Sequence, residues 1–571
     1  MECYDSSSSP EDDVISVGEP STSKDPELVN VGSTDYDVTK SRKRGKKEWM
    51  TPKLVATLDA CKVSERDAIR ILFATAEALG HDVSELIINR NSISRCRKHW
   101  RKNLGEDFYK KFSDLDLDNI TVHWDGKMLP ALTSKEKIDR LSVIIDYSEQ
   151  EQLLGIPSIP SGSGENQADA IFQLLEKWQI KENVQAFSFD TTASNTGRYQ
   201  GCCVLLEQKL ERDILYLPCR HHIYEIILKT AFDSTMGQSS GPNVQIFNKF
   251  QESWSKLNKE EFTSGVTDEY VKESLPNIDD LLNFAMTNLK EGKHPREDYR
   301  ELLELMIIFL GGIPLRGISF RIPGAFHHAR WMSKAIYCLK IFIFRNQFFL
   351  SHDDLNGIKN ICIFIVRLYV KAWIRSPFAT EAPLQDLQFL GDLYLYKDIN
   401  EHISRVALLK FCNHLWYLSP EASALAFFDN NVPDETKILM VQAMTSCESE
   451  DDNVKKISVD PKNVTRYLGV GIENFISKNS RRFFDRFSIN TEFLEKHPSE
   501  WIKNDNFRKG LQIAKNLKVV NDAAERGVKL MQDYNNLLTT DEEEKQFILQ
   551  IVREYRSKYP NVAKSTLSKN L

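Results

Sequence analysis

The sequence predicts a mostly helical chain built round an α/β core that a large all-helical insertion interrupts, with a helical module ahead of it. Three observations lead there. Between residues 120 and 217, strand-like runs alternate with amphipathic helical ones. The long block after Tyr224, up to residue 462, carries helical patterning without a convincing strand. The length of 571 residues at 41% hydrophobic supplies apolar material for several cores rather than one.

The first element is no element at all. Residues 1–39 hold ten acids and one Lys among many Ser, Thr and Gly, with almost no apolar period, which predicts a disordered acidic tail over 1–50. Its end carries a basic run, Lys40 to Lys47, in which six of eight residues are Lys or Arg. Such a run is a solvated linker or, beside a disordered tail, a segment that a nuclear import receptor reads; the second reading predicts a nuclear location. The opening MECYDSSSSP lacks the basic-then-apolar order of a secretory signal. Ten cysteines scattered over the chain form no disulfide framework, so a reducing compartment is expected.

Residues 51–112 predict the helical module. Ser64 and Asp67 make a capping box ahead of apolar residues at helical spacing, and Gly80 supplies the stop. A second helix, starting at Asn91 or Ser92, bears Arg95, Arg97, Lys98, Arg101 and Lys102 round Trp100. These basic residues read equally as a solvated face and as a DNA-binding surface. The net charge of -7 excludes a uniformly basic coat on nucleic acid, so any DNA contact has to use local patches of this kind. No paired Cys and His spacing for a zinc finger exists in the module, and no zinc is expected.

The core follows. Ile120 to Leu129 alternates like a strand, Arg140 to Tyr147 is β-branched and apolar, and Gln152 to Ile159 is a third extended run, which together suggest an antiparallel meander over the start of residues 113–230. Asn166 to Ile180 is an amphipathic helix, Val184 to Phe189 a strand ending at Asp190, Tyr199 to Leu210 a helix and Ile214 to Leu217 a last short strand. The order β-β-β-α-β-α-β is that of a ribonuclease H-like core. The apolar runs of the insertion (231–462), Ala335 to Leu350 and Ile358 to Ile374, each carry basic residues whose burial in a bilayer would be costly. They read as buried helices of a globular domain and predict no membrane partner. Residues 463–571 begin with a polar, aromatic-dotted connector and return to amphipathic helices, completing the core.

Chemistry is expected at one edge of that sheet. Asp125 and Asp190 lie towards the ends of two strands that neighbour each other in such a core, and paired carboxylates are tolerable when hard cations such as Mg²⁺ or Mn²⁺ sit between them. Asp125 with Gly126 also reads as a hairpin pair. Asp190 is better placed, because it ends an apolar strand and opens a polar run.

That run, FDTTASNTG at Phe189 to Gly197, followed by Cys219-Arg220-His221-His222 and by Ala329-Arg330-Trp331, resembles the hAT-like DDE transposases. The stretch from Trp501 to Leu530, ending in NDAAERGVKL, looks like that family's helical dimerisation region. The resemblance spans roughly residues 120 to 560 and implies that Asp125 and Asp190 are metal-binding aspartates and Glu525 the third carboxylate, on a site for two ions. It implies that Trp331, after Arg330, stacks on a nucleotide flipped out of DNA. It also implies DNA as partner and a homo-oligomer. Cys219 and His222 have the spacing of half a zinc site without a second half nearby, so a packing and hydrogen-bonding pair is expected. The acids Asp541 to Glu544 are rivals to Glu525 that better suit a helix start. The sequence departs from the family in lacking its N-terminal zinc module and in having Gly527-Val528 where Phe-Ser is usual after Glu-Arg.

The resulting expectation is a nuclear, transposase-like protein that cleaves DNA at element ends and transfers strands with Mg²⁺ or Mn²⁺. The alternative is a domesticated, catalytically silent DNA-binding or scaffold protein on the same fold. A ribonuclease H-like nuclease without strand transfer explains neither the insertion nor the C-terminal helices.

Overall fold

The computed structural model describes residues 49–113, 115, 117–238, 244–275, 277–292, 296–324, 332–414, 419–446 and 459–560. The acidic tail and Lys40 to Lys47 lie outside the described residues, as do His327, His328, Arg330 and Trp331.

Three helices open the described chain. In α1 (Pro52–Ala60), Thr51 caps the first turn and Pro52 supplies a fixed φ where no amide hydrogen is needed. In α2 (Glu65–Ala78) the Ser64 hydroxyl accepts from the Asp67 amide at 3.2 Å, the capping interaction expected from the sequence. The long α3 (Arg90–Ser113) carries the basic residues.

The strands then form one six-stranded mixed sheet. β1 (Ile120–Pro130), β2 (Lys137–Tyr147) and β3 (Gln150–Gly155) make the antiparallel meander, with the two-residue β4 (Ser158–Ile159) pairing on β2. β5 (Val184–Phe189) and β6 (Leu215–Pro218) add on parallel to β1, giving the order β3-β2-β1-β5-β6. The helices α4 (Gly164–Lys177) and α5 (Cys202–Leu210) make these parallel crossovers. The expected helix from Tyr199 begins only at Cys202, because Gly197 and Gly201 approach so closely that a Cβ on Gly201 would stand 2.5 Å from the Gly197 nitrogen. One bond from the Gly201 N–H to the Gly197 carbonyl, at 2.9 Å, closes the turn between them before the helix starts.

Alternation along the strands divides the core. Ile120, Val122 and Trp124 of β1 join Val143, Ile145, Phe187 and Phe189 in a layer under α4 and α5. The opposite face, with Leu129 and Ile144, packs under two C-terminal helices, named here α8 (Asp522–Tyr534) and α9 (Glu542–Lys558). The sheet is thus covered on both sides, and its second cover comes from the far end of the chain.

Between β6 and α8 the described chain is helical, beginning with α6 (Arg220–Met236) and including α7 (Glu297–Phe309). The apolar runs Ala335 to Leu350 and Ile358 to Ile374 lie mostly buried in its large core, with Lys340 neutralised by Glu301 at 2.5 Å. No helix among the described residues is long and apolar enough to cross a membrane.

The N-terminal helices dock on α9 through charge as well as packing. Arg101 donates to both oxygens of Asp59, at 2.8 and 2.7 Å, and to Glu544 at 2.5 Å. Arg97 donates to the Val63 carbonyl at 2.9 Å and lies 3.8 Å from Asp59. Arg97 and Arg101 are only 1% and 2% exposed, which corrects their assignment to a phosphate-facing surface. A buried Asp59 carboxylate demands these cations, and the helix face carrying them turns inward.

Candidate active site

β1 and β5 run parallel with His123 opposite Ser188. Continuing that register two residues brings Asp125 opposite Asp190, and the Trp124 and Phe189 rings one step before them stack at 5.4 Å between centroids. Strand alternation assigns Trp124 to the α4 and α5 layer, so Asp125 belongs with His123 to the face covered by α8. Asp125 is buried; Asp190, the residue after β5, is half-buried.

Asp190 is held by its own loop. Oδ1 accepts from the Thr192 amide at 3.1 Å, the Thr192 hydroxyl at 2.6 Å and the Asn195 amide group at 2.7 Å. The first two form an Asx-type turn, the local reason for a Thr two residues after an Asp. Asn195 reaches further, because its Oδ1 accepts from the Trp124 indole at 2.8 Å. The residue before Asp125 therefore fixes the residue that fixes Asp190.

The third carboxylate arrives on α8. Asn521, just ahead of this helix, donates from Nδ2 to the Trp124 carbonyl at 2.7 Å and from its main-chain N–H to Cys219 Sγ at 3.1 Å. Its Oδ1 stands 3.3 Å from His123 Nδ1. Gly527 then lets α8 lie against β2, since a Cβ there would stand 2.0 Å from Ser142 Oγ. That close approach gives a physical reason for Gly527 in place of a bulkier residue. Glu525 sits in the first turn of α8, where Arg296 NH1 lies 3.4 Å from Oε2.

Asp522, one turn before Glu525, is engaged on both oxygens. His221 Nδ1 lies 3.0 Å from Oδ1, and the Tyr299 hydroxyl donates to Oδ2 at 3.0 Å. Burial alone would raise the Asp522 pKa, but the His221 ring, Arg526 and the Tyr299 hydroxyl outweigh it and hold the carboxyl at about 2. His221 is fully buried and stacks on Trp373 at 3.9 Å and 15°.

Cys219 and His222 flank the same corner. The Cys219 thiol is buried, accepts the Asn521 amide and has its pKa pushed up to about 12 by burial and by Asp522. His222 lies half-buried in the first turn of α6. The expected metal residues Asp125, Asp190 and Glu525 thus stand on adjoining elements, but among the described residues no three His, Cys, Asp or Glu side chains close round a point that could hold an ion. The donor chemistry suits a hard cation nonetheless: carboxylate oxygens, with the Asp190 bonds directed at one of its two. The rival acids at 541–544 are accounted for otherwise. Asp541 caps α9 by accepting from Glu544 at 2.8 Å, Glu542 pairs with the buried Arg140, and Glu544 with Arg101.

Of the expected nucleic-acid residues, Arg95, Lys98 and Lys102 are exposed on α3. Their spacing of three and four places them on one helical face. Arg330 and Trp331 lie outside the described residues; Met332, next in sequence, gives its N–H to the half-buried Glu225 at 2.7 Å.

Sequence reasoning missed Asn195, Asn521, Asp522, Tyr299 and Arg296. Asn195 and Asn521 lay inside motifs that were read for their acids, so a signal existed. Tyr299 and Arg296 belong to the insertion, where helical period identifies a helix but not its contacts. No protein-family model matches the chain, and no curated protein matches it significantly.

Proposed function

We propose that this chain is a transposase-like protein on a ribonuclease H-like core, cleaving DNA and joining the freed 3′-hydroxyl to a target with Mg²⁺ or Mn²⁺. The observation that supports the reading is the parallel pairing of β1 with β5, with His123 opposite Ser188, a register that continued two residues would set Asp125 level with Asp190 just beyond the paired segment. The strand order, with three antiparallel strands followed by two parallel to the first, is what such a core requires. Both are joined to motifs that resemble the hAT-like DDE family.

In this reading Asp125, Asp190 and Glu525 would hold two divalent ions, which would activate a water or 3′-hydroxyl and neutralise charge on the leaving oxygen. The chain's own work is placement. Thr192 and Asn195 orient Asp190; Asn521 ties α8 to the Trp124 carbonyl. Arg330 and Trp331 bind DNA near the cleaved bond, Arg95, Lys98 and Lys102 bind phosphate, and Lys40 to Lys47 direct the chain to the nucleus. A homo-oligomer follows from the likeness of the C-terminal region to a dimerisation region.

The test is Mg²⁺-dependent processing of DNA carrying the repeats that flank the chain's own gene. Asp125→Asn, Asp190→Asn and Glu525→Gln should each abolish cleavage while DNA binding persists. Trp331→Ala should weaken binding by about 1 to 3 kcal/mol without altering its salt dependence. One observation favours the catalytically silent DNA-binding or scaffold reading, namely that Glu525 already has Arg296 as a neighbour. DNA binding by wild-type protein without cleavage under any divalent condition decides for that reading.

A further inference from the structure

The loop that holds Asp190 runs straight into an exposed tip. After the single helical turn Ala193–Thr196, residues 197–201 form a turn locked by the glycines at its two ends. The Gly201 N–H bonds the Gly197 carbonyl at 2.9 Å, and neither glycine has room for a side chain: a Cβ on Gly197 would stand 2.8 Å from the Ala193 carbonyl oxygen, and one on Gly201 2.6 Å from that of Asn195. Asn195 is the residue that bonds Asp190, so the turn is built directly onto the candidate site. On this fixed base stand Arg198 and Tyr199. Tyr199 is 76% exposed, its ring centroid 5.6 Å from the guanidinium carbon of Arg198. Arg198 is exposed, is the only charged residue between Asp190 and Glu207, and pairs with no carboxylate among the described residues. A large ring held in solvent on a fixed turn is preorganised for a contact that the chain itself does not supply.

We propose that Arg198 and Tyr199 are a strand-binding tip beside the Asp190 loop, at which the Tyr199 ring stacks on an unpaired base of a DNA strand and the Arg198 guanidinium takes a phosphate of the same strand. The inference rests on the DNA-binding part of the reading above and needs no bound ion. The two side chains divide the chemistry of a nucleic acid between them: a ring face that any base satisfies, and a fork of N–H donors that matches a phosphate. Thr192 and Thr196, between Asp190 and the tip in sequence, are exposed as well, and no acid interrupts residues 191–206, so a polyanion meets no like charge from this run of chain. The tip is flanked by the exposed polar residues Thr196 and Gln200 rather than by the apolar surround of a protein-docking patch.

The experiment measures binding of the full-length chain to a short dye-labelled DNA single strand and to the matching blunt duplex, by fluorescence anisotropy across a salt series, beside thermal melting. Tyr199→Ala should weaken single-strand binding about tenfold or more with the salt slope unchanged, because stacking releases no counterions. Tyr199→Phe keeps the ring face and should bind within about twofold of wild type. Arg198→Ala should reduce the salt slope by about 0.7, the share of one phosphate contact on a single strand. All three should melt like wild type, since neither side chain is buried. Unchanged single-strand affinity in folded Tyr199→Ala protein overturns the inference and leaves the DNA reading standing. So does a Tyr199→Phe loss equal to that of alanine, an equal loss on the blunt duplex, where no base is unpaired, or a wild-type chain that binds the duplex alone. Affinity that falls only in step with melting temperature assigns the pair to the fold and overturns the inference too. A folded wild-type chain that binds neither DNA overturns the DNA reading itself, and this inference with it.

Discussion

The Trp124 indole donates to Oδ1 of Asn195 at 2.8 Å, and the amide of Asn195 donates to Oδ1 of Asp190 at 2.7 Å. Trp124 is fully buried and Asn195 nearly so. Replacing Asn195 by Ala should therefore leave a buried indole N–H without its acceptor, a loss of about 1 to 3 kcal/mol. Asn195→Asp restores an acceptor for Trp124 but sets a second carboxylate against Asp190, where like charges share a proton on acidification. Urea unfolding should find both variants destabilised at neutral pH and only Asn195→Asp recovering towards pH 4.5. Equal behaviour of the two would mean that the bond to Asp190 contributes nothing.

The basic helix α3 divides into two halves that mutation should separate. Asp59→Ala leaves the buried Arg97 without its carboxylate and Arg101 with Glu544 alone, and should cost about 3 to 5 kcal/mol, read as a lower denaturation midpoint. Ala at Arg95, Lys98 and Lys102 should each stay within about 0.5 kcal/mol, since these residues are exposed. The triple variant should instead flatten the salt dependence of DNA binding, because fewer counterions are released. An unchanged salt slope would remove α3 from the DNA surface.

The strands were legible because period two and β-branched content are local signals: β5 was expected over Val184 to Phe189 and is found there. The inward turn of Arg97 and Arg101 was not. A helix of mixed charge shows which residues are basic but not where a partner such as Asp59 or Glu544 waits, and Glu544 is far along the chain. The acids of the candidate site were visible for their chemistry. Their supports, Asn521 and Asp522, were hidden in plain sight beside Glu525, since a polar residue at a helix start reads first as a cap. Tyr299 and Arg296 carried no signal, because a contact between an insertion and a distant helix leaves no mark on either local pattern.

Gly527 marks the closest approach of α8 to the sheet, so Gly527→Ala should be destabilising although Ala favours helix. The added Cβ meets Ser142 Oγ at 2.0 Å and Ile144 Cδ1 at 3.2 Å, and the overpacking should cost about 1 to 3 kcal/mol. Adding Ser142→Ala removes the hydroxyl and should return part of that loss. A Gly527→Ala protein as stable as wild type would show that α8 can ride further from β2 without penalty.

Asp522 should give the fold an acid-sensitive component. Its folded pKa of about 2 lies below the unfolded value of about 3.9, so the unfolded chain binds the proton more readily as pH falls. Stability from this group is therefore complete above about pH 5 and lost as pH falls through about 2, amounting to about 2.6 kcal/mol. Asp522→Asn cannot titrate. It should be less stable than wild type at pH 5, and the gap between the two should close as pH falls towards 2. Urea midpoints for both proteins at pH 5, 4, 3 and 2.5 measure that gap directly, with the other carboxylates titrating alike in each. A gap that stays constant over the series would mean that the folded protein holds Asp522 no more firmly ionised than the unfolded chain does, and that the His221 and Tyr299 contacts do not act on its charge.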